Sequence, residues 1–366
     1  MDLREACQRH HLEDILDKVE AEERLTLEDG ERLYQCQDPV LLGELAHRAR
    51  TRRHGERTTY VLNQQINYTN ICVNACLFCS YRRSQDHEGG FTLHQDQIRE
   101  KLESQLNEPI RELHIVGACH PEHGLQHYLR ILRTARQVRP QATLKAFTPV
   151  EIDHFAAVEG CEPEEVLERL RDEGLQMLPG GGAEIFDPEV RRQICPHKAS
   201  GERWLDISRR AHKLGIPSNA TMLFGHLEGR RHRLKHMDAL RRLQDETGGF
   251  LCFIPLPFQT RNNPLGGVEP ITGLEELRTI AVSRLMLDNI PHIKSYWVML
   301  GLPQAQAALC FGADDLDGTV VEERIGHTAG ADSPQVLDRG ELEAMIRGCG
   351  QTPVERNGIF ERVQKV

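Results

Sequence analysis

The sequence lacks the apolar and basic stretches that would direct it to a membrane or a polyanion. No uninterrupted apolar run reaches the roughly 18 residues of a membrane span, and the first residues contain no apolar signal region. The formal net charge of -10 gives no electropositive surface for nucleic acid or anionic lipid. We therefore expect a cytoplasmic protein, without nucleic-acid or membrane partners, that acts on a small molecule.

The 366-residue chain also lacks internal repeats, low-complexity tracts and a Pro/Ser-rich linker between halves. Residues 1–56 follow a helical pattern and are interpreted as an N-terminal helical extension. Residues 57–330 are predicted to form the catalytic domain, and residues 331–366 a C-terminal helical tail packed on it.

Within the central domain, short β-rich runs alternate with longer amphipathic stretches. Such alternation is typical of parallel strands joined by right-handed crossovers, and about eight repeats at this length favour an α/β fold of the (β/α)8 TIM-barrel type over an open sheet. The predicted strands are 59–67, 112–116, 143–147, 175–178, 218–223, 250–254, 292–298 and either 311–313 or 319–321. The predicted helices are 94–106, 123–138, 149–172, 200–213, 229–246, 273–290, 302–310 and 339–348.

The cysteines include a group that is one ligand short of a closed metal site. Three of the eleven cysteines, Cys72, Cys76 and Cys79, lie within eight residues directly after the first predicted strand. In a reducing cytosol they are expected to bind metal and not to form disulfides. Three thiolates can hold three irons of a 4Fe-4S cluster and leave the fourth iron open to another ligand, whereas zinc would require a fourth protein ligand such as His87.

Functional residues of a parallel barrel gather at the C-terminal ends of its strands. Glycines follow two of the predicted strands: Gly117 after the second, and Gly180, Gly181 and Gly182 after the fourth. Glycine lets a ligand approach the backbone closely, although a glycine run can also be a plain turn. The triple glycine lacks the Lys-Ser/Thr ending of a phosphate-binding loop.

Polar and basic residues near the later strands are the candidates for ligand binding. Asn219 lies in the fifth predicted strand and His226 just beyond it. Arg261 follows the sixth strand and Lys294 lies in the seventh. A guanidinium suits a carboxylate because it can donate two parallel hydrogen bonds. Each of these side chains could instead be a solvated or core residue.

The C-x3-C-x2-C spacing, with an aromatic residue before the third cysteine, resembles the radical S-adenosylmethionine (SAM) enzymes. Longer blocks resemble the aminofutalosine synthase family of the futalosine pathway of menaquinone biosynthesis; these blocks are residues 67–72, 178–185, 218–223, 285–294 and 315–323. Cyclic dehypoxanthinylfutalosine synthase and the F0 synthase subunits are alternatives in the same superfamily. A non-catalytic electron-transfer protein with a metal cluster is the alternative from another class.

The resemblance implies a C–C bond-forming transferase with a 4Fe-4S cluster held by Cys72, Cys76 and Cys79. It implies SAM as a consumed co-substrate, bound by Tyr81, Gly117, Gly180, Gly181, Gly182 and Asn219, and flavodoxin or ferredoxin as electron donor. The implied reaction adds the 5'-deoxyadenosyl radical to 3-(1-carboxyvinyloxy)benzoate, with rearrangement and decarboxylation to 6-amino-6-deoxyfutalosine. His226, Arg261 and Lys294 are the predicted catalytic residues, with the substrate carboxylates as their targets.

Overall fold

The computed structural model describes residues 2–363, and its N-terminal segment is helical as the periodicity predicts. Its helices are α1 (Leu3–Arg9), α2 (Glu13–Glu20), α3 (Leu27–Gln35) and α4 (Pro39–His54). Thr26 starts α3 with a capping box: its hydroxyl accepts a hydrogen bond from the backbone N–H of Asp29 (3.1 Å), and the Asp29 carboxylate accepts one from the backbone N–H of Thr26 (2.9 Å).

The strands are parallel to one another and form two sheets. The strands are β1 (Arg57–Val61), β2 (Asn63–Asn67), β3 (Glu112–Val116), β4 (Thr143–Ala146), β5 (Ser218–Phe224), β6 (Phe250–Pro257), β7 (His292–Ser295), β8 (Asp315–Leu316) and β9 (Thr352–Arg356). The sheet orders are β5-β6-β7-β8-β1-β9 and β2-β3-β4. Isolated parallel bridges join Lys145 to Met177 and Leu178 to Ser218, and another joins Gln64 to Val321.

Helices connect successive strands, so the predicted α/β class with parallel strands is confirmed. Among the described residues, none of the helices combines the length and apolar character needed to cross a bilayer. The helices are α5 (Gln95–Glu103), α6 (Leu125–Val138), α7 (Pro149–Glu159), α8 (Pro163–Asp172), α9 (Pro188–Ile194), α10 (Gly201–Lys213), α11 (Arg230–Thr247), α12 (Gly273–Met286), α13 (Trp297–Leu300), α14 (Leu302–Ala308), α15 (Ile325–Thr328) and α16 (Arg339–Gly348).

Several predicted boundaries were wrong. The strand predicted at 59–67 is divided at Leu62, and the one predicted at 292–298 ends at Ser295 because helix α13 begins at Trp297. The segment 175–178 contributes only isolated bridges, and the strand that follows β7 is β8, which lies in neither of the two places predicted for the eighth strand. The helix predicted at 149–172 is two helices, separated where Gly160 adopts a left-handed conformation (φ 67°).

Helices α9, α13 and α15 and strand β9 were not predicted. Strand β9 gives the C-terminal tail a strand as well as its predicted helix, and it pairs in parallel with β1 from Arg57 to Val61.

Charged side chains from neighbouring strands form ion pairs in the interior. Arg356 bonds to both carboxylate oxygens of Asp315 (2.6 and 2.9 Å), and Lys294 contacts Asp315 (3.0 Å) and Asp317 (2.7 Å). Burial alone would raise the pKa of Glu112, but the adjacent Lys145 and the nearby Arg356 hold it at about 2. Buried charges are tolerated here because each has an opposite partner.

Candidate functional site

The three clustered cysteines lie in an irregular segment after β2. The segment is fixed at both ends, because the backbone N–H of Cys72 donates to the carbonyl of Arg83 (3.1 Å) and that of Leu77 donates to the carbonyl of Ile194 (2.8 Å). The three thiols are free, with Cys76 buried and the other two half-buried. The chain therefore presents three thiols in one partly enclosed place.

One buried cation lies beside these thiols. The ammonium of Lys198 is paired with Glu184 (2.5 Å) and stands 5.2 Å from the centre of the Phe78 ring, between the second and third cysteines in the sequence. Burial raises the pKa of Cys76 to about 12, and the charge of Lys198 opposes that rise. The pKa of Cys72 is lowered to about 6, first by a hydrogen bond with the Cys119 thiol.

The donor set fits an iron–sulfur cluster better than a single zinc ion. One tetrahedral zinc with Zn–S bonds of about 2.3 Å needs its sulfurs about 4 Å apart. Within residues 2–363, the three Sγ atoms are not a group whose members all lie within 4.8 Å of one another. His87, the predicted fourth zinc ligand, is exposed and bonds through Nδ1 to the carbonyl of Glu88. Separate corners of a cluster tolerate the wider spacing.

His54, His292 and Asp314 do lie that close together, but at the other ends of the strands. His292 begins β7, and Asp314 precedes β8. The Asp314 carboxylate is already ion-paired with the Arg284 guanidinium and accepts a hydrogen bond from His292 Nδ1 (2.6 Å). This group is therefore internally neutralised and remote from the cysteines.

Two of the triple glycines are required by the backbone itself. Gly180 has φ 80°, and a Cβ built on it would lie 2.0 Å from the carbonyl oxygen of Asn219. Gly182 has φ 86°, and its Cβ would lie 2.5 Å from a methyl group of Val150. Gly181 differs, because its Cβ would meet one neighbour, a Thr148 methyl group at 3.1 Å. Among the three, Gly181 leaves the most room for a ligand.

The glycine after β3 is packed against protein. A Cβ on Gly117 would lie 2.7 Å from the ring of Tyr68, and its backbone N–H donates to the carboxylate of Glu151 (3.1 Å). The close packing of β3 on Tyr68 therefore explains this glycine without a ligand.

Several buried side chains present polar atoms that have no hydrogen-bond partner within the described part of the chain. Asn67 Oδ1, Tyr81 Oη and Asn219 Oδ1 are among these atoms. Asn67 ends β2 and Tyr81 follows the third cysteine, whereas Asn219 lies near the start of β5, below the strand ends. A buried polar atom without a partner costs about 1–3 kcal/mol, so a ligand that supplies the missing hydrogen bond is favoured.

A cavity of about 380 Å³ adjoins the cysteine segment. Tyr81, Phe91, Arg83 and Arg324 line it. The Arg324 guanidinium lies 5.7 Å from the centre of the Phe91 ring, and Arg83 donates to backbone carbonyls; among residues 2–363 neither forms an ion pair with a carboxylate. Glu323 also lines the cavity, but it is paired with His327 (2.8 Å), so both guanidinium groups stay available to an anionic ligand. Sequence patterns missed Arg324, which lies three positions after the strand predicted at 319–321, because only the folded chain shows that it lines this cavity.

A second cavity, of about 540 Å³, lies beyond β6 and β7 and includes no residue of the cysteine segment. Its wall contains Arg261, which is exposed and paired with Asp332 (2.7 Å). It also contains Glu276, whose pKa burial raises to about 7. The carboxyl groups of Asp332 and Glu276 offset the positive charge that Arg261 would offer to a substrate carboxylate.

The other two predicted catalytic residues already have partners. The imidazole of His226 is fully buried; its Nε2 bonds to the carbonyl of Leu223 (3.0 Å) and its Nδ1 accepts from the backbone N–H of Leu227 (2.7 Å). Lys294 is held between Asp315 and Asp317. Each of the three predicted catalytic side chains is thus bonded to other groups of the protein.

Comparison with known proteins gives consistent matches over the whole chain. The family model "Radical SAM superfamily" matches residues 66–240, and "CofH/MqnC C-terminal region" matches residues 247–366. The aminodeoxyfutalosine synthase of Thermus thermophilus is 45% identical over 96% of this chain and 95% of its own length. That of Streptomyces coelicolor is 44% identical over 94% of this chain and 92% of its own length.

More distant relatives share the architecture. The 5-amino-6-(D-ribitylamino)uracil--L-tyrosine 4-hydroxyphenyl transferase of Methanopyrus kandleri is 38% identical over 89% of this chain and 90% of its own length. Among solved structures, methylornithine synthase (PylB) superposes with a TM-score of 0.76 at 17% identity, covering 92% of this chain and 96% of that one. The last match concerns the fold alone.

Proposed function

This chain belongs to the radical SAM superfamily and, within it, to the aminodeoxyfutalosine synthase family, and we propose that it catalyses the reaction after which that family is named. The observation that carries the proposal is near-full-length similarity to two such synthases, together with three free thiols in the segment after β2. The substrate would be 3-(1-carboxyvinyloxy)benzoate, and the product 6-amino-6-deoxyfutalosine.

Cys72, Cys76 and Cys79 would hold a 4Fe-4S cluster. When bound, the cluster and SAM supply the adenosyl radical that adds to the substrate. Lys198 lies beside the thiols, and its charge opposes the rise that burial causes in the pKa of Cys76 and of Cys79. The protein's remaining task is to orient two ligands and to exclude water.

For the cofactor, we propose contacts from Tyr81, Gly181 and Asn219, because two of these have unpartnered polar atoms and the third has an open side. Gly180 and Gly182 would shape the loop, and Gly117 would allow β3 to pack on Tyr68.

For the substrate carboxylates, roles for His226, Arg261 and Lys294 stay predictions. Arg324 and Arg83 are added to them as candidates, since both line the cavity beside the cysteines and lack a carboxylate partner within residues 2–363. An arginine without a partner can bind an anion without first breaking an ion pair.

The finer architecture and the partners belong to the same proposal. We propose that the strands close into a (β/α)8 barrel, a closure supported by the bridges through Met177, Leu178 and Val321. Flavodoxin or ferredoxin would donate the electron, and the protein would work in the cytoplasm.

The test is anaerobic incubation of the cluster-loaded protein with reductant, SAM and the enolpyruvyl benzoate ether. An adduct that contains adenine and the aromatic ring is expected by mass spectrometry. A parallel reaction with tyrosine and 5-amino-6-(D-ribitylamino)uracil tests the function named for the archaeal relatives. Turnover of that second pair, or 5'-deoxyadenosine without an adduct, would contradict the proposal. Cys161→Ala, which changes a cysteine outside the site, is the matched control for Cys72→Ala.

A further inference from the structure

Two cysteines outside the proposed active site form a contact near the surface. Cys310 follows helix α14 and is exposed, and Cys349 follows helix α16 and is half-buried. The thiol of Cys349 lies within hydrogen-bonding reach of Cys310 Sγ and, at 3.3 Å, of the carbonyl of Gln306. The two thiols are therefore neighbours in space, although 38 positions separate them in the sequence.

Two hydrogen bonds from side-chain amides to backbone carbonyls hold the segments that carry the two cysteines together. The side-chain amide of Gln306, in α14, donates to the carbonyl of Met345 in α16 (3.0 Å). The side-chain amide of Gln351, just beyond α16, donates to the backbone carbonyl of Leu309, just beyond α14 (3.0 Å). Two hydrogen bonds in opposite directions thus join the helix ends on either side of the thiols.

The surroundings favour a thiolate on the exposed cysteine. The guanidinium of Arg50 is 1% exposed and bonds to backbone carbonyls and to the side-chain oxygen of Gln351 (3.0 Å). Within residues 2–363 this guanidinium forms no carboxylate ion pair, and its Nε has no hydrogen-bond partner. A hydrogen bond from Cys349, with a smaller contribution from the charge of Arg50, lowers the pKa of Cys310 to about 6 against the opposing effect of burial.

We propose that Cys310 and Cys349 are a modification site at which small-molecule disulfides, such as glutathione disulfide, convert the two thiols into an intramolecular disulfide. The Cys310 thiolate attacks one sulfur of the small disulfide and releases one small thiolate. Cys349 loses its proton and attacks Cys310 Sγ, which releases the second. The protein loses two electrons and two protons, and one small disulfide becomes two thiols. Exposure assigns the first attack to Cys310, and contact assigns the second to Cys349.

This inference is independent of the proposed reaction, because neither thiol belongs to the cysteine segment. Cys161 is an internal control: it is half-buried, and burial and its neighbouring glutamates raise the pKa of its thiol. At neutral pH the larger thiolate fraction of Cys310 is partly offset by its lower nucleophilicity, so Cys310 should be alkylated about fivefold faster than Cys161.

The experiment uses the full-length, cluster-loaded protein under anaerobic conditions. It is treated with glutathione disulfide, quenched with a thiol alkylator and analysed by peptide mass spectrometry. We expect a peptide pair linked through Cys310 and Cys349, with Cys161 unlinked. Cys349→Ser should instead accumulate the mixed glutathione disulfide on Cys310, and Cys310→Ser should leave Cys349 unmodified.

Two results would overturn the inference. One is a stable glutathione adduct on Cys310 of the wild-type protein without the cross-link. The other is alkylation of Cys310 no faster than that of Cys161. Unchanged visible absorbance of the cluster and unchanged circular dichroism in both serine variants would show that the fold is intact, so that a missing cross-link reflects the missing thiol.

Discussion

Replacement of Gly180 by alanine should destabilise the protein far more than the same change at Gly181. The two glycines are adjacent in the loop before α9, but their surroundings differ. Gly180 has left-handed backbone, and its carbonyl accepts a hydrogen bond from the Thr221 hydroxyl (2.9 Å). Its missing Cβ would lie 2.0 Å from the carbonyl oxygen of Asn219 in β5, where side-chain rotation cannot relieve the clash.

The expected magnitude follows from these contacts. A left-handed conformation costs alanine about 1–2 kcal/mol. Overpacking against a fixed backbone costs about 1–3 kcal/mol, so Gly180→Ala should lower the free energy of unfolding by about 2–5 kcal/mol. For Gly181→Ala the contact is one threonine methyl group at 3.1 Å, and a loss below about 1 kcal/mol is expected.

Urea unfolding followed by tryptophan fluorescence measures this difference. The reporters are suitable because Trp204 and Trp297 are fully buried and the Trp204 indole donates to the carbonyl of Gly181 (3.0 Å). SAM affinity, from equilibrium dialysis of the cluster-loaded protein, is the second measurement. Gly181→Ala should weaken SAM binding about tenfold or more, since a methyl group would occupy the open side of the loop. If Gly180→Ala unfolds at the wild-type urea concentration, the backbone argument is wrong. If Gly181→Ala binds SAM normally, the cofactor does not approach this glycine.

Cys72→Ala should abolish the visible absorbance of the reconstituted cluster, whereas Cys252→Ala, at a fully buried cysteine in β6, should retain it; equal iron content would contradict the assignment. Asn219→Ala should weaken SAM binding about tenfold by removing a buried hydrogen-bonding group, and unchanged affinity in dialysis would exclude that role. Lys198→Met leaves Glu184 unpaired and should reduce both the iron content, measured by iron analysis, and the stability, measured by urea unfolding. The double variant Lys198→Met/Glu184→Gln should regain the stability but not the iron content. Folding lowers the pKa of Glu112 to about 2, so its ionised carboxylate stabilises the protein above the unfolded pKa of 4.5, and this stabilisation is lost as the pH falls towards 2. Glu112→Gln should therefore lower the free energy of unfolding by on the order of 3 kcal/mol near neutral pH and by much less near pH 2. An equal loss at both pH values would refute the ion-pair account.

The sequence predicts most elements of the fold because its strands and helices carry different periodicities. Strand β3 and helix α16 have the predicted bounds, and the alternation that indicates parallel strands is present. The shortest strands were misplaced, because a few residues are too few to show a periodicity. Residues 175–178 form only isolated bridges, and the two residues of β8 are too few for a periodicity to be visible. Strand β9 escaped prediction because a single strand after the last helix breaks the alternation.

The site shows a similar division between local and distant information. The cysteine spacing is local, so it could be read directly from the chain. Lys198 and Glu184 come from the segment around α9, and their position beside the thiols depends on contacts such as the hydrogen bond from the Leu77 N–H to the carbonyl of Ile194. No pattern in one stretch of sequence encodes such a contact.

Lys294 and Arg324 show why residue type alone does not identify an anion-binding group. Lys294 lies in β7, but its side chain is 1% exposed and its ammonium contacts two aspartates, so a substrate carboxylate would have to displace one of them. Arg324 is exposed, lines the cavity beside Tyr81 and has no carboxylate partner within the described residues, so its guanidinium can bind an anion while keeping its present contact with Phe91. The cation that is free to pair with substrate is thus the stronger candidate, and the cation that is already paired is better explained as a stabiliser of the charged interior.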